Sequence, residues 1–157
     1  MKVSSLLFGL SVGIVLFLAL PYVLIQANDL FKLPVVYYPI MQVFGISFVV
    51  LGAIVFTYCS GAFVVLGKGT PVPIDPPEVL VITGPYKYTR NPMYLSYLSI
   101  FLGEFMFLGY LSLLIYFFLM CVFIIYFVIN YEEPELKKRF GQKYTDYCKN
   151  VPRFIPK

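Results

Sequence analysis

The sequence predicts an all-α integral membrane protein, with about four transmembrane helices and a C-terminal helix at the membrane interface. Hydrophobic residues make up 60% of the 157 residues and charged residues only 13%, about half the charged share of a soluble domain. Four apolar stretches, at 4–27, 39–66, 93–108 and 111–130, are separated by polar segments. We therefore expect a single membrane domain over residues 1–157.

The first two apolar stretches are long enough to cross a bilayer. A spanning helix needs roughly 20 apolar residues, and both 4–27 and 39–66 exceed that length. A cleaved signal peptide is the alternative for 4–27, because Lys2 precedes it, but the run exceeds the roughly 7–15 apolar residues of a signal peptide. We expect Pro21 to kink the first helix, which membrane helices tolerate.

The last two apolar stretches are predicted to form a helical hairpin. As one helix, the apolar run from Met93 to Asn130 would be roughly 57 Å long, which is too long for one crossing. A weak break at 108–110 divides it into spans at 93–108 and 111–130.

The polar segments on either side of this hairpin differ in character. The loop 67–92 holds six of the twelve prolines, and proline fixes the backbone and removes a hydrogen-bond donor, so we expect a shaped loop. The tail 131–157 is charged, and four of its apolar residues share helical spacing. They predict one amphipathic helix along the membrane interface and are Leu136, Phe140, Tyr144 and Tyr147.

The distribution of positive charge predicts the orientation. Of the twelve Lys and Arg residues, all but Lys32 lie in the N-terminus, the loop 67–92 or the tail 131–157. With four spans these three segments share one side, which the positive-inside rule makes cytoplasmic. The protein is thus expected to be multi-pass, with both termini in the cytoplasm. The net charge of +4 indicates attraction to anionic lipid and requires no nucleic-acid partner.

Several kinds of site are excluded by composition. Histidine is absent, which removes His-based acid–base catalysis and His-containing triads. The three cysteines show no CxxC spacing, so we expect neither a metal site nor a disulfide framework.

The predicted hairpin brings two polar motifs together. The loop precedes the third span and the tail follows the fourth, so "TRNPMY" at 89–94 and "NYEE" at 130–133 are expected to meet. Arg90 would then face Glu132 and Glu133. The alternative is a purely structural membrane anchor, for which Tyr and Arg at a boundary are common.

These motifs resemble a known family. "LVITGPYKYTRNPMY" at 80–94, a helix hairpin, and "EEPELKKRFGQKYTDYCKNVPRFIP" at 132–156 are similar to the isoprenylcysteine carboxyl methyltransferase and phospholipid methyltransferase superfamily. The resemblance covers about 67–157. It implies a membrane-embedded enzyme that transfers a methyl group from S-adenosylmethionine to a hydrophobic or lipid-like acceptor in the bilayer. An isoprenylcysteine carboxyl O-methyltransferase-like activity is the first interpretation. A phospholipid or small amine N-methyltransferase, and a non-enzymatic membrane scaffold that retains the fold, are the alternatives.

The resemblance also implies site residues. By motif position, eight residues would line the cofactor: Leu80, Val81, Tyr86, Asn91, Pro92, Met93, Tyr94 and Glu132. Glu133 would orient the site or bind Arg90. Methyl transfer to an ionised or free nucleophile depends on alignment, so no general base is assigned.

Two positions depart from the family pattern. Asn91 stands where the family has His, and its amide still offers a donor and an acceptor. Val128 stands where prenylcysteine enzymes carry an arginine linked to the substrate carboxylate. Arg90 or Arg153 would have to substitute for that arginine. The departure weakens the case for a carboxylate acceptor and strengthens the case for an amine.

Glu104 is a separate candidate within the third predicted span. A charge in a membrane helix is costly and is a functional candidate by default. It would face the acceptor tunnel and attract an amine. The alternative is that it lies near the far interface and extends its carboxylate toward water.

Overall fold

The computed structural model describes residues 3–70 and 75–155. Within these residues the fold consists of seven α-helices and no β-strand, with one isolated antiparallel bridge between Val35 and Tyr110. The helices are α1 (Val3–Ile14), α2 (Leu20–Leu30), α3 (Pro39–Val65), α4 (Pro92–Leu108), α5 (Leu111–Phe127), α6 (Glu133–Phe140) and α7 (Gln142–Asn150).

Helices α1 and α2 form one continuous helix that changes its hydrogen-bonding pattern before a proline. A π-helical turn, Val15–Ala19, joins them, and Pro21 follows at once. Proline cannot donate to the carbonyl four residues earlier, and a wider turn is one way to accommodate this. The structure thus places a π-helical turn shortly before Pro21, and the kink at Pro21 stays a prediction.

Three helices of the described residues are long and apolar enough to cross a membrane: Leu7–Leu30, Pro39–Val65 and Leu111–Phe140. The third contains α5, a π-helical turn at Val128–Glu132 and α6. Helix α4 has 17 residues and is about 26 Å long, shorter than the roughly 30 Å hydrocarbon core. The all-helical membrane fold class is confirmed, whereas the predicted count of four spans is not.

Glycines bring α3 and α4 into close antiparallel contact. A methyl group added at Gly45 would lie 2.6 Å from the Phe107 backbone nitrogen, and one at Gly52 would lie 2.8 Å from the Ser96 carbonyl oxygen. Without such small residues the two backbones could not approach so closely. This contact fixes the first turns of α4 beside the end of α3, where the loop begins.

The hairpin between α4 and α5 lies where the sequence predicted a break. Helix α4 ends at Leu108. The next residue, Gly109, has a left-handed φ of 79°, which glycine adopts without strain. The buried Asn28 side chain accepts a hydrogen bond from the Ser112 backbone nitrogen at 3.1 Å and donates to the Leu33 carbonyl at 2.9 Å. These bonds tie the α2–α3 connection to the hairpin. The described parts of the 67–92 loop and of the tail lie at the opposite end of α4 and α5.

The tail is not the single amphipathic helix that its apolar spacing predicts. It forms α6 and α7, which are separated at Gly141. Gly141 has φ 57° and ψ −128°, a conformation that strains residues with a Cβ. The prediction of one continuous C-terminal helix is therefore wrong, because this glycine ends α6 and lets the chain turn.

Candidate functional site

A cavity of about 310 Å³ lies between the 67–92 loop and the tail. Its volume is at the lower end of the range for small-molecule sites, about 300–1,000 Å³. Helix α3 contributes Phe63, and four other parts of the chain build the rest of the wall. The loop contributes Leu80, Val81 and Tyr86; α4 contributes Met93, Tyr94 and Tyr97; the α5–α6 helix contributes Glu132, Glu135, Leu136 and Arg139; and α7 contributes Tyr144 and Tyr147.

Most of the residues predicted to line a cofactor meet at this cavity. The structure places seven of the eight on its walls, namely Leu80, Val81, Tyr86, Asn91, Met93, Tyr94 and Glu132. Pro92 is the exception. It occupies the first turn of α4 and borders a separate groove between α3 and α4, together with Tyr88 and Leu95. Successive helix residues point in directions about 100° apart, so Pro92 and Met93 face different spaces.

Glu133 holds the loop to the tail through two arginines. Arg90 Nη1 donates to Glu133 Oε1 at 2.8 Å. Arg153 donates through Nε and Nη2 to the two carboxylate oxygens, both at 2.8 Å. Such bidentate pairs are among the stronger hydrogen bonds in proteins. The Glu133 hydrogen bond raises the pKa of the Arg153 guanidinium. The predicted meeting of Arg90 with the glutamate pair is found, and its partner is Glu133.

The loop and the tail are joined by further hydrogen bonds that the sequence did not reveal. The Asn91 amide nitrogen and the Thr89 hydroxyl both donate to the Arg153 carbonyl, at 2.9 and 3.1 Å. The Tyr147 hydroxyl donates to the Tyr86 carbonyl at 2.6 Å. Asn91 thus uses its donor to hold the tail while it also lines the cavity.

Three buried polar atoms of cavity-lining residues have no hydrogen-bond partner among the described residues: the Tyr86 hydroxyl, Glu132 Oε2 and Arg90 Nε. The first two are a neutral donor and an acceptor. Tyr86 is only 5% exposed. Leaving a buried donor or acceptor unsatisfied costs about 1–3 kcal/mol, so a ligand that satisfies them would gain this energy. Burial, with smaller contributions from Cys59 and Glu132, raises the pKa of the Tyr86 phenol. Tyr86 therefore keeps its proton and can donate, while Glu132 can accept.

Aromatic rings form much of the remaining wall. Tyr86 packs edge-on against Phe63, with ring centroids 5.5 Å apart, and Tyr94 packs edge-on against Tyr97 at 5.9 Å. The Tyr94 hydroxyl lies beside the Glu132 carboxylate. Tyrosine faces attract cations, and next to a carboxylate this wall suits a positively charged ligand.

The apolar stripe of the tail lines the cavity, whereas the sequence predicted that it would face the membrane interface. All four of its members, Leu136, Phe140, Tyr144 and Tyr147, line the cavity. Their helical spacing was therefore a signal for the site, although the sequence interpretation assigned it to the membrane interface. The turn at Gly141 brings the two helices to the same cavity.

Glu104 is not part of this cavity. It lies on α4, four residues before Leu108. Its Oε2 atom is buried and has no hydrogen-bond partner among the described residues. The structure thus separates Glu104 from the residues that meet between the loop and the tail.

The family model described as phospholipid methyltransferase matches residues 40–143, about two thirds of the chain. The matched segment extends from α3 into α7 and contains most of the cavity wall. No curated protein and no solved structure matches the chain.

Proposed function

We propose that this chain, which belongs to the phospholipid methyltransferase family, transfers a methyl group from S-adenosylmethionine to an acceptor that resides in the membrane. Family membership confirms the resemblance seen in the loop and tail motifs. The observation that carries the proposal is the cavity, whose wall combines an unpaired buried donor, Tyr86, with an unpaired buried acceptor, Glu132.

The residues on the cavity wall fit this cofactor. When bound, S-adenosylmethionine supplies an activated methyl group on a sulfonium sulfur. The Glu132 carboxylate is available for a charge-assisted hydrogen bond from a ligand donor. The rings of Tyr86, Tyr94 and Tyr97 offer faces to a cationic centre.

The chain itself contributes alignment and the exclusion of water. Methyl transfer to a free nucleophile needs the reacting atoms held in line more than it needs a general base. The contacts of Glu133 with Arg90 and Arg153 fix the loop against the tail. We therefore assign Glu133 a positioning role and assign no residue as a base.

The burial of Val128 and the pairing of Arg90 and Arg153 favour an amine acceptor over a carboxylate. A carboxylate acceptor would need a cation near Val128, but Val128 is fully buried. The two arginines that could replace one there, Arg90 and Arg153, are both bonded to Glu133. Glu132, with its unpaired buried oxygen, instead lines the cavity. We propose N-methylation of a lipid amine ahead of O-methylation of an isoprenylcysteine carboxylate.

An aromatic path supports access from the bilayer. On α5 and the turn that follows it, Phe123 stacks on Phe127 with centroids 6.0 Å apart, and Phe127 stacks on Tyr131 at 5.7 Å. Phe123 is exposed on the apolar helix, while Phe127 and Tyr131 line the cavity. An acceptor with a hydrocarbon chain would approach along this path. The charge distribution of the sequence supports a cytoplasmic loop and tail, so the cofactor would arrive from the cytoplasm.

Transfer of a labelled methyl group tests both the activity and the acceptor class. The purified chain is incubated with methyl-labelled S-adenosylmethionine and vesicles prepared from total membrane lipid, and the lipid is then extracted. We expect the label in the extracted lipid to stay non-volatile after mild base, because methylamines are stable to base even when the acyl esters of the lipid are hydrolysed. Label released as volatile methanol would indicate a methyl ester and support the isoprenylcysteine-like alternative. No label with a folded, cofactor-binding protein would contradict a membrane lipid acceptor.

A further inference from the structure

Two charged side chains on the cavity wall have no part in the function proposed above. Glu135 and Arg139 lie one turn apart on α6 and both line the cavity. Glu135 Oε1 and Arg139 Nη2 are 3.5 Å apart, and the two side chains are 69% and 32% exposed. They extend the cavity face of α6 beyond Glu132.

Arg139 differs from the other arginine on the described cavity wall. Arg90 is bonded to Glu133 and to the Cys148 sulfur, both at 2.8 Å. Arg139 has only the longer, exposed contact with Glu135. An exposed pair of this kind contributes little to stability, so a ligand can replace it at small cost. Arg139 is therefore the more exposed arginine on this wall, and its guanidinium can turn to an anionic group without loss of a short ion pair.

The pair matches one particular ligand chemistry. An amino acid carries an ammonium and a carboxylate on the same carbon, so its binding site needs an anion and a cation side by side. A guanidinium can bind a carboxylate through two parallel hydrogen bonds, and a carboxylate can accept from an ammonium. Glu135 and Arg139, adjacent and opposite in charge, supply this combination at the cavity.

We propose that Glu135 and Arg139 bind the amino-acid end of S-adenosylmethionine, with Arg139 on its carboxylate and Glu135 on its ammonium. The inference rests on the proposed function, since it assumes that this cofactor occupies the cavity. The inference assigns the exposed part of α6 to the amino-acid end of the cofactor. Glu132 then remains available to a different hydrogen-bond donor of the cofactor. Because both side chains are partly exposed, we expect that replacing either of them does not unfold the protein.

Calorimetry with two ligands tests the assignment on the full chain in detergent. The ligands are S-adenosylmethionine and its decarboxylated form, which lacks only the carboxylate. We expect Arg139→Gln to weaken binding of S-adenosylmethionine roughly tenfold or more, as for loss of a charge-assisted hydrogen bond. The same variant should bind the decarboxylated ligand within about twofold of the parent, because the missing partner is the one that Arg139 would contact.

Two further variants control for charge and for geometry. Lys138→Gln removes the same charge from an exposed neighbour on α6 that does not line the cavity, and it should bind both ligands like the parent. Arg139→Lys keeps the charge but loses the bidentate geometry, so it should recover part of the affinity for S-adenosylmethionine.

Four results separate this inference from the proposed function. Unchanged binding of S-adenosylmethionine by Arg139→Gln overturns the inference, and so does an equal loss for both ligands. If the folded parent binds neither ligand, the proposed function itself fails. A loss confined to the ligand with the carboxylate supports both.

Discussion

The Arg90 guanidinium donates a 2.8 Å hydrogen bond to the Glu133 carboxylate, across 43 residues of chain. Arg153 approaches the same carboxylate from the end of the tail. One acidic side chain thereby joins the start of α4, the start of α6 and the C-terminal segment. Because the cavity lies between these elements, its shape depends on this contact.

Replacing Glu133 should destabilise the protein more than replacing a nearby surface glutamate. Glu133→Ala removes the partner of two arginines, and Arg90 is mostly buried, with 11% of its side chain exposed. Hydrogen bonds to charged groups are worth about 1.5–3 kcal/mol, so we expect a loss of about 2–3 kcal/mol in the free energy of unfolding. Denaturant unfolding in detergent micelles measures it. Glu135→Ala, which breaks only an exposed pair, should cost at most about 0.5 kcal/mol; equal losses would contradict the positioning role.

Removing the Tyr86 hydroxyl should affect stability and ligand binding in opposite directions. Tyr86→Phe deletes a buried group that has no partner, so the free energy of unfolding should stay equal or rise. Affinity for S-adenosylmethionine should fall about threefold to tenfold, which corresponds to one ordinary hydrogen bond. Calorimetry and thermal unfolding on the same samples test both effects.

Tyr147→Phe is the matched control for this variant. It removes a hydroxyl that is bonded to the Tyr86 carbonyl, so it should lower stability by about 1 kcal/mol. A loss of stability in Tyr86→Phe equal to that in Tyr147→Phe would contradict a Tyr86 hydroxyl without a partner.

Stability should decline at alkaline pH. Burial raises the pKa of the phenols of Tyr86, Tyr144 and Tyr147 above the ordinary value of 10.0. The folded state therefore keeps protons that the unfolded state releases, and the free energy of unfolding falls as pH rises above about 10. Thermal unfolding between about pH 8 and 11 measures the decline. Tyr86→Phe should make it shallower, and an unchanged slope would argue against a buried Tyr86 phenol.

Close packing of α3 on α4 predicts that alanine substitutions at two glycines of α3 change the stability of the protein in opposite directions. Gly45→Ala places a methyl group 2.6 Å from the Phe107 backbone nitrogen, which only a backbone shift can relieve, at about 1–3 kcal/mol. Gly61→Ala meets nothing within 4 Å and should stabilise the helix by about 0.5–1 kcal/mol. Unfolding of the two variants in the same detergent compares them directly, and similar stabilities would contradict the packing.

The sequence predicted those contacts that follow from the order of the helices along the chain. The apolar lengths placed the hairpin, and the hairpin required Arg90 to meet the glutamate pair at its outer ends. Arg153 was weighed only as a substitute cation for the acceptor, because nothing in its spacing shows that the tail folds back onto Glu133. Pro92 was placed on the cavity by its position in the motif, but motif position does not give the direction of a side chain at the first turn of a helix.

The tail shows that the helical spacing of apolar residues does not identify the surface against which they pack. The stripe from Leu136 to Tyr147 predicted an apolar face, but the identity of the covering surface depends on tertiary contacts. Gly141 was the available signal for a break, because glycine accepts positive φ without strain. Arg139 and Glu135 were missed because charged residues on an amphipathic helix ordinarily face water.

The most direct test is S-adenosylmethionine binding to the purified, detergent-solubilised protein by calorimetry, with Glu132→Ala beside it. Glu104→Ala is the matched control, since it removes a half-buried carboxylate that does not line the cavity. We predict binding by the parent and by Glu104→Ala, and a loss of at least tenfold in Glu132→Ala without loss of folding. Equal affinity in parent and Glu132→Ala, or no binding by a folded and monodisperse parent, would contradict the assignment of this cavity to the cofactor.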